Sequence, residues 1–189
     1  MDEKLQRLFD KEDIRDAMFR YARGVDRRDW EAVRETFHPD GTDNHADFHG
    51  LRDDFIDWIR VRHDEVPKSK HFLGNMLIEF ASDTAAVVET YFMAVMELSP
   101  ESEGHRKMLL GDANPAQIDG TIRIDVLGRY LDRFEKRNGR WKVARRQVAF
   151  DATHARPNAG SVDDRTNWVL GRRDDSDPIY ALRQEAGLN

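Results

Sequence analysis

The sequence predicts an α+β domain in which helices gather on one face of an antiparallel sheet. Three observations lead there. Apolar residues recur at helical spacing in the first third of the chain, the period changes to 2 from residue 70 onward, and Asn138-Gly139 stands as a hairpin signal between two alternating runs. Helices first and long hairpins afterwards is the α+β order. A long sheet curving around helices leaves a pocket between the two layers, and small-molecule chemistry belongs there.

The first helix is expected over about 10–26. Ile14, Ala17, Met18, Tyr21, Ala22 and Val25 form its apolar stripe, with Asp10 or Asp13 as the cap. After Arg27-Arg28, Asp29 caps a short second helix with Trp30, Val33 and Phe37 on one face, ended by Pro39-Asp40-Gly41. The polar stretch 42–49 suits a short strand. Gly50 then opens a third helical pattern with Leu51, Phe55, Trp58, Ile59 and Arg62, closed before Pro67. Residues 71–80 read as a strand, Ser82-Asp83 as a turn and 84–98 as a long second strand. The turn-rich stretch 99–120 reads as a mobile loop, and 122–136 and 140–150 as the strands of the hairpin. Beyond Asp151 the periodicity disappears. One domain over 1–151 is therefore expected, with an extension, 152–189, ordered by packing on the domain or on a neighbouring subunit.

Composition narrows the function. With 39% of 189 residues apolar the chain can build one core. Its longest apolar stretches fall far short of the ~20 residues of a membrane span. No apolar segment follows the acidic Met1-Asp2-Glu3 start, so neither a membrane nor a secretory role is expected. Without cysteine there is no disulfide, thiolate zinc site or catalytic thiol, and a reducing cytoplasm is the expected compartment. Thirty basic residues against 36 acidic ones leave a net charge of −6, which argues against a nucleic-acid partner. Gly104 and Gly111 lie far apart and Gly24 is alone in a helix, so no phosphate-cradling loop supports a nucleotide cofactor.

Several side chains are candidates for chemistry. Asp26 ends the first helix at the edge of the apolar stripe, where the dipole favours cations; an acid there is costly unless paired or used, or unless it is solvated beside Arg27 and Arg28. His71 leads a strand with two largely apolar faces, its own carrying Leu73, Asn75 and Leu77. A half-buried imidazole near a carboxylate makes a tunable base, whereas alone it would bond to backbone. Glu89 shares a face with Tyr91 and Met93 on the next strand, placed either to hold the tautomer of His71 or as a surface acid. Arg145 and Arg146 alternate, so one faces inward on a central strand, to bind a carboxylate or oxyanion or to pair with Asp132 or Glu135. His45 and His49, with Asp43 and Asp47, have the spacing of a helical metal pair. Their segment reads as strand or loop, and no metal site is expected.

Tyr21-Ala-Arg-Gly-Val-Asp26 closing the first helix, Asp29-Trp30 opening the second, the turn Phe37-His-Pro-Asp-Gly41, His71 at a strand start and Gly139-Arg140-Trp141-Lys142-Val143 after a hairpin together resemble a known family. It is the SnoaL-like branch of the nuclear transport factor 2-like superfamily, which includes scytalone dehydratase, bile-acid dehydratase and hexachlorocyclohexane dehydrochlorinase; the likeness spans about 10–151. It implies a cone-shaped, cystatin-like fold with a curved mixed sheet around about three N-terminal helices, and elimination without metal or cofactor. It further implies that Asp26 orients His71, that His71 takes a proton from carbon, that Tyr21 donates a proton to an oxygen and that Arg146 holds an enolate or leaving group. Tyr21 stands where the dehydrochlorinase has lysine, which favours loss of an oxygen-based group or a small carbonyl fragment over loss of chloride. Phe55, Trp58, Tyr91, Met93, Phe92 and Met96 offer an apolar lining for a hydroxylated aromatic or polycyclic small molecule, with Glu89 as a further contact. A homo-oligomer is expected, a trimer rather than a dimer. The same superfamily leaves open a non-catalytic small subunit, a ligand-binding module or a steroid-isomerase-like activity.

Overall fold

A computed structural model describes residues 2–110, 120–158 and 167–188. Helix α1 runs from Glu3 to Arg27, starting earlier than its apolar stripe because Asp2 accepts the Lys4 N–H at 2.9 Å. Arg28, left-handed at φ 56°, ends it. Asp29 accepts the Ala32 N–H at 3.0 Å and opens α2 (Trp30–Glu35). Phe37, expected on that helix, instead opens β1 (Phe37–His45), its ring fully buried beside Tyr21. Then follow β2 (Phe48–Leu51), α3 (Arg52–Asp64), β3 (Lys68–Phe80) and β4 (Ala85–Leu98).

The stretch expected as one mobile loop contains a helix, α4 (Glu103–Leu110), because His105 and Arg106 are buried on its inner side; the loop's centre, 111–119, lies outside the described residues. Strands β5 (Ile122–Arg137) and β6 (Arg140–Pro157) form the hairpin. Asn138 at φ 53° and Gly139 at φ 77° supply the two positive-φ positions that a twisted two-residue turn needs. Strand β6 continues past Phe150 because its far end still pairs with β5, as far as Pro157 opposite Ile122. A last helix, α5 (Pro178–Glu185), is capped by Asp177.

The six strands form one curled, unclosed sheet in the order β2-β1-β6-β5-β4-β3. β1 runs parallel to β6 and every other pairing is antiparallel. Its concave face packs on α1, whose Ile14, Met18, Tyr21 and Val25 share a core with Val88, Phe92, Phe134 and Val148. Buried Asp10 ties the helix to the hairpin, accepting from Trp141 Nε1 at 2.9 Å and Lys136 Nζ at 2.7 Å.

Two irregularities decide which side chains point inward. The pairing of β3 with β4 shifts between Leu73 and Met76, so Ser69, His71 and Leu73 face the interior before the shift and Met76, Ile78 and Phe80 after it. The uninterrupted alternation expected along 71–80 breaks at Gly74 and Asn75. A second shift, opposite Arg133 and Phe134, leaves Trp141, Val143, Arg146 and Val148 all facing inward on β6.

Among the described residues, Arg173 and Asp177 tie the C-terminal stretch to the end of α1. Arg173 donates to the carbonyls of Asp26 at 3.1 Å and Val25 at 3.2 Å and to that of Val66, and reaches His63 Nδ1 at 2.8 Å. Arg27 pairs with Asp177 at 3.1 Å. Among the described residues no helix is long and apolar enough to cross a membrane.

Candidate active site

Between the concave face of the sheet and helices α1, α3 and α4 lies a small cavity of about 40 Å³ that opens toward solvent. Its polar lining is unusual: four histidines, His45, His63, His71 and His105, and two tyrosines, Tyr21 and Tyr130. The remaining lining is apolar, with Phe92 and Met96 among it.

Asp26 and His71 meet at this wall. Asp26 is buried at the end of α1 and His71 sits near the start of edge strand β3, so the contact joins the helix to the rim of the sheet. His71 Nδ1 lies 2.8 Å from Asp26 Oδ1, and the His71 backbone N–H donates to Oδ2 at 3.0 Å. A carboxylate accepts, so Asp26 holds a proton on Nδ1, and in the neutral ring the lone pair is left to Nε2. Nothing on the ring then has to move before it can accept a proton.

Tyr21 lines the cavity one turn and a half before Asp26, with its ring 2% exposed. Burial raises its pKa, which keeps the phenol protonated and a donor. Tyr130 stands edge-on to it, centroids 5.5 Å apart, and is raised in the same way by burial. Behind both rings lies Arg146, fully buried, its guanidinium carbon 4.1 Å above the Tyr21 ring and 4.3 Å above that of Tyr130. It donates twice to Asp132, at 2.8 and 2.7 Å. Arg146 is therefore not part of the cavity lining; it reaches the site through the tyrosines.

The far wall is built from α3 and α4. His63 and His105 lie edge to face, 4.7 Å between ring centres. Burial, with His105 and Arg173 adding to it, holds His63 well below the usual imidazole range. Burial likewise pulls His105 down to about 3, against the bond between its Nδ1 and the Arg62 carbonyl at 3.1 Å. Both are neutral at physiological pH.

The other expected contacts fall elsewhere. Glu89, Tyr91 and Met93 lie on the convex face of β4, away from the cavity, because Val88, Thr90, Phe92, Ala94 and Met96 take the concave one. Tyr91 is 47% and Met93 40% exposed, and Glu89 pairs with Arg129 at 2.9 Å, opposite Leu77 rather than His71. Phe55 and Trp58 sit one layer back: Phe55 is wholly buried and stacks on His45 with centres 5.7 Å apart, and Trp58 carries the Arg62 guanidinium 4.0 Å above its ring. His49 is exposed on β2, and among the described residues no cluster of His, Asp and Glu is arranged to hold a metal ion. Tyr130 had a readable signal, the even-numbered inward row Ile122, Ile124, Val126, Tyr130, Asp132 and Phe134. His63 and His105 had none, since their meeting depends on how α3 packs against α4.

A family model described as a SnoaL-like domain matches residues 6–147. No curated protein matches the chain. Among solved structures, a protein provisionally assigned as a scytalone dehydratase from Novosphingobium aromaticivorans superposes with a TM-score of 0.64 at 21% identity, covering 84% of this chain and 99% of that one. A hexachlorocyclohexane dehydrochlorinase from Novosphingobium barchaimii gives a TM-score of 0.65 at 18% identity, over 84% and 97%. A cystatin-like protein of unknown function from Nostoc punctiforme gives 0.57 at 21% identity, over 76% and 92%. At such identities the likeness is one of fold.

Proposed function

The chain belongs to the family of SnoaL-like domains, and from that premise we propose that it is a lyase working without metal or cofactor, with His71 as its base. The observation that carries this reading is the double hold of Asp26 on His71 at the cavity wall, ring and backbone at once. Asp26 fixes the tautomer and stabilises the imidazolium that forms when Nε2 takes a proton from a carbon beside a carbonyl. Tyr21 donates a hydrogen bond where negative charge develops on oxygen, and the Arg146 cation above its ring strengthens that donor. The C–H electron pair becomes a C=C bond as an oxygen-based group departs with the C–O pair; for loss of a small carbonyl fragment His71 instead takes an O–H proton, the O–H pair becomes the fragment's C=O bond and the C–C pair passes to the enolate that Tyr21 bonds.

The apolar remainder of the cavity suits a hydroxylated aromatic or polycyclic substrate. Phe72, Leu77, Val87, Tyr91 and Met93, exposed together on the convex face, favour a homo-oligomer, for which we expect a trimer. The absence of cysteine favours the cytoplasm.

The test is mass spectrometry of a panel of hydroxylated aromatic and steroid-like carbonyl compounds, incubated in heavy water with chelator-treated wild type, Asp26→Asn and His71→Ala. Mass loss with wild type alone supports the lyase. Deuterium uptake without loss makes the protein an isomerase, and no change on any compound moves it to a non-catalytic subunit or binding module.

A further inference from the structure

The far wall of the cavity carries a histidine held in the opposite sense to His71. Arg173, from the C-terminal stretch, reaches His63 Nδ1 with its Nη2 at 2.8 Å. A guanidinium has only donors, so in this contact Nδ1 is the acceptor and carries no proton. An imidazolium, protonated on both nitrogens, does not fit there, and the one ring proton of His63 sits on Nε2. Asp26 imposes the reverse on His71, with the proton held on Nδ1.

The surroundings keep the ring in that state. Arg173 is anchored by the carbonyls of Val25, Asp26 and Val66, so it cannot turn away from His63 without giving up the end of α1. Burial opposes a charge on the ring, and His105, Arg173, His71 and Arg28 add to that opposition. His105 on α4 gives its own Nδ1–H to the Arg62 carbonyl at 3.1 Å and meets His63 edge to face, while Trp30 on α2 stands edge-on with centres 5.9 Å apart. Among the described residues Arg173 is the only hydrogen-bond partner of His63, so no other protein group there takes the Nε2–H. The ring lines the same cavity as His71 and Tyr21.

We propose that His63 is a second donor to the substrate's oxygen: its Nε2–H, beside the Tyr21 hydroxyl, hydrogen-bonds the carbonyl oxygen that becomes an enolate when His71 takes the proton from carbon. This rests on the lyase reading above. The C–H pair becomes the C=C bond of the enolate, the C=O π pair moves onto oxygen, and His63 keeps its proton, because a neutral imidazole is too weak an acid to give it up. An uncharged donor suits this wall. His71 turns cationic as it takes the proton, and a second cation across the cavity would oppose that step. Arg173 acts through His63 as a positioning residue. It lies beyond the matched residues 6–147, so the C-terminal stretch enters the chemistry by fixing one tautomer.

Two measurements test it. Imidazole ¹⁵N spectra at pH 7 need no substrate: His63 is expected as the neutral ring protonated on Nε2 in wild type, and as a mixture of tautomers in Arg173→Ala. A His63 that is charged or protonated on Nδ1 in wild type overturns the proposal, and an unchanged ring in Arg173→Ala overturns the part given to Arg173. With a compound that wild type converts, His63→Leu is expected to lower kcat roughly 10²- to 10³-fold and to leave KM within about 3-fold. His63→Gln keeps an N–H at the place of Nε2 and should recover at least about 10-fold of that loss. A folded His63→Leu with wild-type kcat, or a His63→Gln no faster than His63→Leu, overturns the donor role. If wild type converts nothing, the lyase reading falls and the donor role with it, while the spectra still decide whether Arg173 sets the tautomer.

Discussion

Both oxygens of Asp26 are turned to one residue: Oδ1 faces the ring Nδ1 of His71 at 2.8 Å, and Oδ2 accepts that residue's backbone N–H at 3.0 Å. In Asp26→Asn the amide has one oxygen for the two donors of His71, besides the Ser69 hydroxyl that donates to Oδ1 at 3.5 Å. If it keeps the backbone bond, its NH₂ faces Nδ1, drives the ring proton to Nε2 and removes the lone pair from the cavity. Turnover should fall about 10³- to 10⁴-fold with a melting temperature within a few degrees of wild type, measured by progress curves and calorimetry on one preparation. Wild-type turnover in this variant would end the dyad mechanism.

Arg146 and Asp132 offer a test of what a buried ion pair contributes. Arg146→Met leaves Asp132 uncompensated and Asp43 without its neighbouring cation, and urea unfolding should show a loss of about 3–5 kcal/mol. Adding Asp132→Leu should recover at least half of it. If the double variant is no more stable than the single one, the pair is not what holds the centre of the hairpin.

Stability should depend on acid through His63 and His105. Both bind a proton less readily folded than unfolded, so below the unfolded value near 6.5 the unfolded chain carries more protons. Their contribution is complete above that pH and is lost as pH falls below about 6.5, for His105 down to about 3, by up to about 1.4 kcal/mol per pH unit for each ring. Denaturation midpoints between pH 8 and 4 should show the slope, and His105→Gln should flatten it.

Arg173 ties the C-terminal stretch to the helix that carries Asp26. Its guanidinium, lowered to about 10 by burial and by Arg28 nearby, stays charged at neutral pH and donates to the last carbonyls of α1, where a cation is favoured. Arg173→Ala should cost about 2 kcal/mol, a fall of about 4–8 °C in melting temperature, and Arg173→Lys should recover part of it. An unchanged melting temperature would mean that the stretch merely lies against the domain.

Asp26 and His71 were legible because each breaks a local rule, an acid at a helix C-terminus and a histidine in an apolar strand, whereas Tyr21 read as one more member of the buried stripe and only the family resemblance singled it out. Alternation also grouped Glu89 with Tyr91 and Met93, and Val88 with Thr90 and Phe92. It did not say which group was inside, since both mix apolar rings with polar atoms, and helix packing settled it the other way. Arg146 was legible as an inward arginine, but its seat behind Tyr21 depends on α1 crossing the hairpin. The contact of Arg173 with His63 joins residues 110 positions apart and follows no period.

The shift in β3 has a consequence for the whole chain. On one side of it the strand keeps time with Asp26, and on the other with the core around Ile78. Deleting either Gly74 or Asn75 would remove the extra residue and set Met76 two positions after Leu73, still opposite Thr90, so both rows would go on facing inward; what would be lost is the bend and added twist between them. The extra residue thus governs how the rim of the sheet curves toward Asp26 rather than which side chains it presents.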